Sequence, residues 1–303
     1  MNSQNLVSIV VVTYNSAKYV VETLESIRLQ TYENIELIIS DDCSTDDTVI
    51  ICEDWLKCNQ GRFVRSSILT IKENQGIPAN FNKGVRKTEG EYVKIIAGDD
   101  YLDKEFVQKC VDVLEQNIDC GLVYTNSFLV LEYKQRIIKE DTSKFKSGNI
   151  FKELFFLDFW PKAPSWMYRR NVLFEMGLFD ESIWVEDYLI ALKIAKKYSI
   201  IQINEFLTYY RLHNENNGRD SIRLYEAQMQ TIDRYKEYEY YKERRLQLLE
   251  KLSQRAMIEK PSYLLKLSLE EKELKYFFLF IRGVFRKVKR NVKKIIHNNN
   301  KSQ

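Results

Sequence analysis

Apolar positions along the first hundred residues alternate between two periods. V-S-I-V-V-V (7–12) and I-E-L-I-I (35–39) are short β-branched runs bounded by polar residues, the pattern of strands buried on both faces. Between them Val20, Val21, Leu24 and Ile27 recur at spacings of three and four, which predicts a helix with one apolar face. The alternation continues with a helix over about 46–57, a strand near 68–71, a helix over about 78–87 and a strand over 92–96. Strands alternating with helices predict βαβ units and a mostly parallel sheet. Such sheets bind ligands at the carboxyl ends of their strands. That rule selects T-Y-N (13–15), S-D-D-C-S-T-D-D (40–47) and G-D-D (98–100).

Further on, Phe106, Cys110, Val113 and Leu114 share one face of a helix ending near Gln116, and a strand follows over 121–124. Residues 145–185 are aromatic-rich and irregular, and read as a substrate-facing subdomain rather than a second sheet layer. A helix over about 186–197 and a strand over 199–203 follow, and the globular part is expected to end near Y-R-L-H-N (210–214). Residues 219–259 are highly charged and patterned for long helices, without Gly until beyond them and with the next Pro at 261.

Composition changes this picture little. At 303 residues, 45% hydrophobic and 29% charged, the chain can bury a large core and disorder is not expected. The net charge of +3 belongs to the tail: residues 274–303 hold nine Lys and Arg and no acid, so the remainder is acidic and does not read as a nucleic-acid binder. The five cysteines form no C-x-x-C pair, which points to neither a zinc cluster nor a disulfide framework, and fits a reducing compartment. The first apolar run follows an uncharged start and soon meets polar residues, unlike a signal peptide, and no apolar run approaches the roughly 20 residues of a spanning helix. A cytoplasmic protein, peripheral at the inner face of the plasma membrane, is therefore expected.

The common nucleotide motifs are missing, with no G-x-G-x-x-G after the first strand and no G-x-x-x-x-G-K-[ST]. A serine hydrolase has no G-x-S-x-G elbow to support it, and His213 and His297 are the only histidines. Carboxylates at strand ends remain. Asp99 and Asp100 are adjacent like charges, and a hard divalent cation with oxygen ligands would relieve their repulsion. The same residues also read as an Asx turn and a helix cap. Likewise Ser44, Thr45 and Asp47 read as caps for the next helix, which leaves Asp41 and Asp42 to explain.

These segments, together with E-N-Q-G-I-P-A-N-F-N-K-G-V (73–85), resemble glycosyltransferase family 2 over about residues 6–215. The resemblance implies an α/β GT-A fold, a Rossmann-like mostly parallel sheet flanked by helices, acting on a nucleotide sugar. It implies that Thr13, Tyr14 and Asn15 line the nucleotide pocket and that Asp41 recognises the base with Asp42 close by. It implies too that Asp99 approaches the ribose or metal while Asp100 ligates Mn2+ or Mg2+. The family motif has Gly where this chain has Cys43, and Asn82 with Lys83 occupies a position where members often carry a basic residue beside Asn.

V-E-D-Y-L (185–189) resembles the family's E-D motif, which makes Asp187 the base for the acceptor hydroxyl and Glu186 its support. Without the resemblance, both acids read as first-turn residues favoured by the helix dipole. His213 resembles a late element that contacts metal or diphosphate, with Arg211 a phosphate partner. Trp160, Pro164, Ser165 and Trp166 either shape the acceptor site, since flat aromatic faces suit sugar rings, or pack in the core.

Residues 1–215 are thus expected to form the transferase domain, and 216–303 a helical extension ending in a basic amphipathic helix. In that tail Phe277, Ile281, Val284, Phe285, Val288, Val292 and Ile295 recur at helical spacing among Arg and Lys, the pattern of a helix lying on an anionic membrane surface. The function expected is a metal-dependent inverting transfer, from a UDP-linked donor to a surface-polysaccharide or lipid-linked oligosaccharide acceptor. The alternatives are a sugar-phosphate nucleotidyltransferase, which would carry a Gly- and Lys/Arg-rich loop after the first strand, and a non-catalytic membrane-associated scaffold, which would have lost the acids.

Overall fold

Strand β1 (Val7–Thr13) is buried at every position, as its run of β-branched residues requires, and forms the middle of a parallel group with β2 (Ile35–Asp41), β3 (Arg65–Leu69) and β4 (Tyr92–Ala97). This computed structural model describes residues 4–213, 221–260, 262–271 and 281. Helices α1 (Val20–Arg28), α2 (Thr48–Asn59) and α3 (Ile77–Val85) connect these strands. Leu24, Ile27, Cys52 and Trp55 pack into one core with Ile9, Val11, Leu37 and Ile39. Helix α3 lies so close to β1 that a Cβ on Gly84 would come within 2.3 Å of Val10 Cγ1, so only glycine fits there.

Beyond β4 come β5 (Tyr101–Leu102), α4 (Phe106–Gln116), β6 (Cys120–Leu131), β7 (Arg136–Lys139), α5 (Phe151–Phe156), β8 (Trp166–Arg169), α6 (Arg170–Glu175), α7 (Glu186–Ala195) and β9 (Ser199–Leu212). The described strands form one nine-stranded sheet, ordered β3-β2-β1-β4-β8-β6-β9-β5 with β7 paired to β6. Strand β8 runs antiparallel to both β4 and β6, and β6 runs parallel to β9.

Two expectations are corrected here. The aromatic stretch is not only a peripheral subdomain, because its W-M-Y-R segment inserts β8 into the centre of the sheet. Strands β6 and β9 also run far past the short apolar runs 121–124 and 199–203. Their second halves are polar and irregular in register yet still hydrogen-bonded to each other, a pairing that local hydrophobicity does not reveal. This extension carries Arg211 and His213 to the ends of β4 and β1.

The chain divides into two compact units, Met1–Asn216 and Asn217–Gln303. The second contains α8 (Ser221–Ile232), α9 (Tyr241–Glu259) and α10 (Tyr263–Glu271), with Ile222, Leu249, Leu252, Ala256, Leu264 and Leu267 as its core. The basic amphipathic helix expected over 277–295 lies, apart from Ile281, outside the described residues. Among the described residues no helix is long and apolar enough to cross a membrane.

At the amino end of the sheet Glu36 is 1% exposed. Its carboxylate accepts from Ser8 Oγ, from Arg65 Nε and from the backbone N–H of Glu89 at 2.6 Å and Gly90 at 3.1 Å. Burial alone would raise its pKa, but Arg65, the Glu89 N–H and the Ser8 hydroxyl outweigh burial and hold it below the ordinary value. A depressed folded-state pKa means that this stabilisation is present above the unfolded-state value and lost as pH falls through the folded one. Glu36→Ala is expected to cost about 3 kcal/mol at neutral pH in denaturant unfolding, with the gap to wild type closing in acid.

Candidate active site

The site lies at the carboxyl ends of β1, β2 and β4, where the sheet rule directs attention. Thr13 ends β1 and Asp41 ends β2, and Thr13 Oγ1 donates to Asp41 Oδ2 at 2.8 Å. Asp41 also accepts from Ser44 N at 2.8 Å and from Ser44 Oγ, and it is 1% exposed. Its carboxylate therefore ties the β2–α2 turn to β1. Asp42 accepts from Gln75 N at 2.9 Å and Gly76 N at 2.8 Å, which fixes the loop ahead of α3. The two carboxylates left over after capping thus close two loops at the ends of β1 and β2.

Cys43 stands at φ 65°, in the left-handed region where glycine is the unstrained residue, and this explains the expected Gly at that position. Asn15, at φ 51°, accepts from Thr45 N at 2.8 Å through its side chain, so it joins the first two loops. Tyr14 is 51% exposed at the rim, with its ring open to a ligand. Lys83 reaches from α3 to donate to Asp41 O at 2.6 Å; burial pulls its pKa down, against the pull of Asp42 and Asp41. Asn82 instead donates to Phe179 O at 2.9 Å and Glu181 Oε1 at 2.8 Å and accepts from Phe179 N at 3.0 Å. Being 2% exposed, it latches α3 to the 179–181 loop, which leaves Lys83 as the more accessible polar group of that pair.

After β4 the paired acids separate in role. Asp100 is 2% exposed, and its Oδ1 accepts from Arg211 N at 2.8 Å. Burial first, and the charge of Asp99 second, push its pKa well above the ordinary carboxylate value. Asp99 is the more open of the two, and its Oδ2 lies 2.9 Å from His213 Nε2. The His213 ring is held by Tyr19, whose ring stacks on it at 5.1 Å.

Arg211, expected to hold phosphate, is a strut. Its guanidinium bonds Glu22 and Asp99 O, lies 3.8 Å from Glu132 and covers the Tyr19 and Tyr101 rings, leaving the residue 7% exposed. Glu132, at the tip of the β6–β7 hairpin, also accepts from Tyr19 OH at 2.7 Å and pairs with Lys18 at 3.2 Å. A cleft of about 580 Å3 opens beside His213, lined by Lys18, Glu132, Tyr133, Arg136 and Ile137.

Glu186 and Asp187 open α7, as their first-turn pattern predicts. Burial raises both carboxyl pKa values, with the charge of Asp187 adding to Glu186, while Trp160 and the backbone N–H of Tyr188 act the other way on Asp187. Trp166 takes the packing alternative: it is 2% exposed and packs edge-on against Trp160. Ser165 is fully buried as well. Lys94, on β4, donates to Ile95 O at 2.9 Å, to Trp166 O at 3.2 Å and to Pro164 O, which anchors the 163–166 segment to the centre of the sheet.

Tyr210 was not anticipated from the sequence. Burial raises its pKa, and the charges of Asp100, Asp99, Asp187 and Glu186 all add to the rise. One phenol on β9 therefore feels both acid pairs, so the G-D-D and E-D segments border one region. The only signal for it was its place one residue ahead of Arg211 in Y-Y-R-L-H.

Residues 8–176 match the model of Glycosyl transferase family 2. The chain belongs to that family. Among relatives of this family 2 glycosyltransferase, an uncharacterized glycosyltransferase of Rickettsia felis is 30% identical over 213 residues, 70% of this chain and 34% of the relative. The chain thus spans about a third of that relative's length. The chondroitin synthase of Escherichia coli is 35% identical over 123 residues, 40% of this chain and 17% of the synthase. Among solved structures, S. aureus TarS 1-349 in complex with UDP-GlcNAc matches with a TM-score of 0.63 at 21% identity, covering 92% of this chain and 81% of that one. The mannosyltransferase PcManGT from Pyrobaculum calidifontis, in complex with GDP-Man and Mn2+, matches with a TM-score of 0.62 at 18% identity, covering 95% of this chain and 81% of that one. The fold is GT-A.

Proposed function

We propose that this glycosyltransferase is a metal-dependent inverting enzyme that uses a nucleotide sugar, with UDP as the nucleotide, and an oligosaccharide hydroxyl as acceptor. The observation that supports this reading is the set of acids after β4 and at the start of α7 in a chain matching the family model: Asp99 lies 2.9 Å from His213, Asp100 is buried against Arg211 N, and Asp187 is held by Trp160. In it, Asp187 takes the proton of the acceptor hydroxyl as that oxygen attacks the anomeric carbon. The bond from that carbon to the diphosphate breaks on the opposite face, and the nucleoside diphosphate leaves with the electron pair. Tyr14 stacks on the base at the rim, and Lys83 lies at the diphosphate.

Among the described residues no three His, Cys, Asp or Glu side chains form a ready-made metal cage. The donor set nonetheless fits a hard cation that completes its shell with substrate phosphates, since a buried Asp100 raised by its neighbour gains most from a positive charge. Asp99, Asp100 and His213 would hold Mn2+ or Mg2+, which when bound stabilises the charge on the leaving diphosphate. The Mn2+ named for the mannosyltransferase supports this, as the UDP-GlcNAc of TarS supports the uridine donor. The match to a chondroitin synthase supports a polysaccharide acceptor. The basic segment 277–295 supports peripheral binding to an anionic membrane, where a lipid-linked acceptor is presented.

Hydrolysis and transfer would be measured with a panel of UDP- and GDP-sugars, in Mn2+ or Mg2+ and then in EDTA. One UDP-sugar consumed only with metal, giving a product of inverted anomeric configuration, is the expected result. Turnover undiminished by EDTA removes the metal assignment, and retention of configuration removes Asp187 as a base acting in a single displacement.

A further inference from the structure

The residue that orients Asp187 lies in the aromatic stretch ahead of β8. Trp160 Nε1 donates to Asp187 Oδ2 at 3.2 Å. The indole is clamped edge-on between two rings, Trp166 of β8 at 5.3 Å and 70° and Tyr188 of α7 at 5.5 Å and 82°. Neither ring is free to turn: Trp166 is 2% exposed, and Tyr188 is buried with its hydroxyl donating to Phe155 O at 2.7 Å. The sheet and the helix that carries the acid therefore jointly set the plane of the indole, and with it the direction of its single N–H.

We propose that Trp160 is a positioning residue for glycosyl transfer, its indole N–H fixing the Asp187 carboxylate so that the other oxygen faces the acceptor hydroxyl. This rests on Asp187 being the base. An indole N–H suits the task because it donates and cannot accept, so it holds a carboxylate oxygen without competing for the proton being moved. The other charged or titratable groups acting at this acid are Glu186 beside it on α7, Lys162 of the 160–166 segment, Tyr168 of β8 and Tyr210 of β9. Of these, Lys162 assists ionisation of Asp187, while the charge of Asp187 raises Glu186, so loss of the indole N–H leaves Lys162 and the backbone N–H groups as the remaining support.

The test uses the full chain, with Trp160→Phe keeping a ring between Trp166 and Tyr188 while removing the N–H. Expected are a kcat lowered about 10- to 100-fold, an unchanged KM for the donor, and an acid limb of the kcat profile moved to higher pH. Trp160→His, which returns an N–H, is expected to recover part of the loss. A second measurement leaves Trp160 in place: among the four tryptophans, one indole N–H resonance should titrate with the acid limb and cease to do so in Asp187→Asn. If Trp160→Phe has the wild-type kcat and pH profile, or if no indole resonance follows the limb, the positioning role is wrong even where Asp187→Asn is inactive. If Asp187→Asn itself retains transfer, the base assignment fails, and the role of Trp160 falls with it.

Discussion

Asp187→Asn is expected to reduce transfer at least a thousandfold while leaving the affinity for the donor within about twofold of wild type. The amide keeps the shape of the side chain and can still accept the Trp160 N–H, so packing at the start of α7 is retained. What it loses is the ability to take a proton. The pH dependence of the wild type gives an independent check. Burial pushes the Asp187 carboxyl up to about 6, above an exposed aspartate, and a general base acts in its ionised form. Activity should therefore rise with pH through a limb higher than an unperturbed aspartate would give, and that limb should be missing from any residual activity of the Asn variant. A variant that transfers normally would reduce Glu186 and Asp187 to helix-dipole residues.

Asp100→Asn is expected to lower kcat/KM at least a hundredfold and to raise the Mn2+ concentration needed for half-maximal rate, without lowering stability. The second expectation separates a functional acid from a structural one. A carboxyl whose folded-state pKa is raised favours folding in its protonated form, so above the folded pKa its ionisation costs stability. The pKa of Asp100 is raised by burial and by Asp99, and the isosteric amide removes that cost while keeping an oxygen to accept from Arg211 N. Thermal unfolding of metal-free protein should then show Asp100→Asn melting at or above the wild-type temperature, whereas added Mn2+ should raise the wild type more than the variant. A variant that melts well below wild type would mean that Asp100 serves the fold. Glu36 provides the contrast, since its pKa is depressed and its loss is expected to destabilise.

The two acid pairs were legible because each follows a pattern that local physics makes visible. Asp99 and Asp100 sit in the turn just after an apolar strand and cannot be explained by hydrophobic burial, while Glu186 and Asp187 open an apolar helix. Arg211 and Asn82 hold positions that no local pattern gives, because each meets a partner distant in sequence: Glu22 and the Asp99 carbonyl for Arg211, and Phe179 and Glu181 for Asn82. No spacing rule reports such pairings. Asp41 stands at the strand end that the sequence marks, with its carboxylate bonded to Thr13 and Ser44.

The sequence by itself determined the parallel α/β half of the molecule, because fully buried strands and amphipathic helices are written in apolar periods of two kinds, and it singled out the carboxylates that follow the strands, because such charges stand out against the apolar runs beside them. Only the tertiary structure decided how the second half closes the site. Strands β6 and β9 stay paired through polar, irregular segments, β8 enters the sheet from an aromatic stretch without alternation, and Trp160, Glu132 and Tyr210 take their places through contacts between residues far apart in the chain. Those contacts gain their free energy from packing and hydrogen bonding across the fold, a dependence that a linear pattern of hydrophobic and polar residues does not carry.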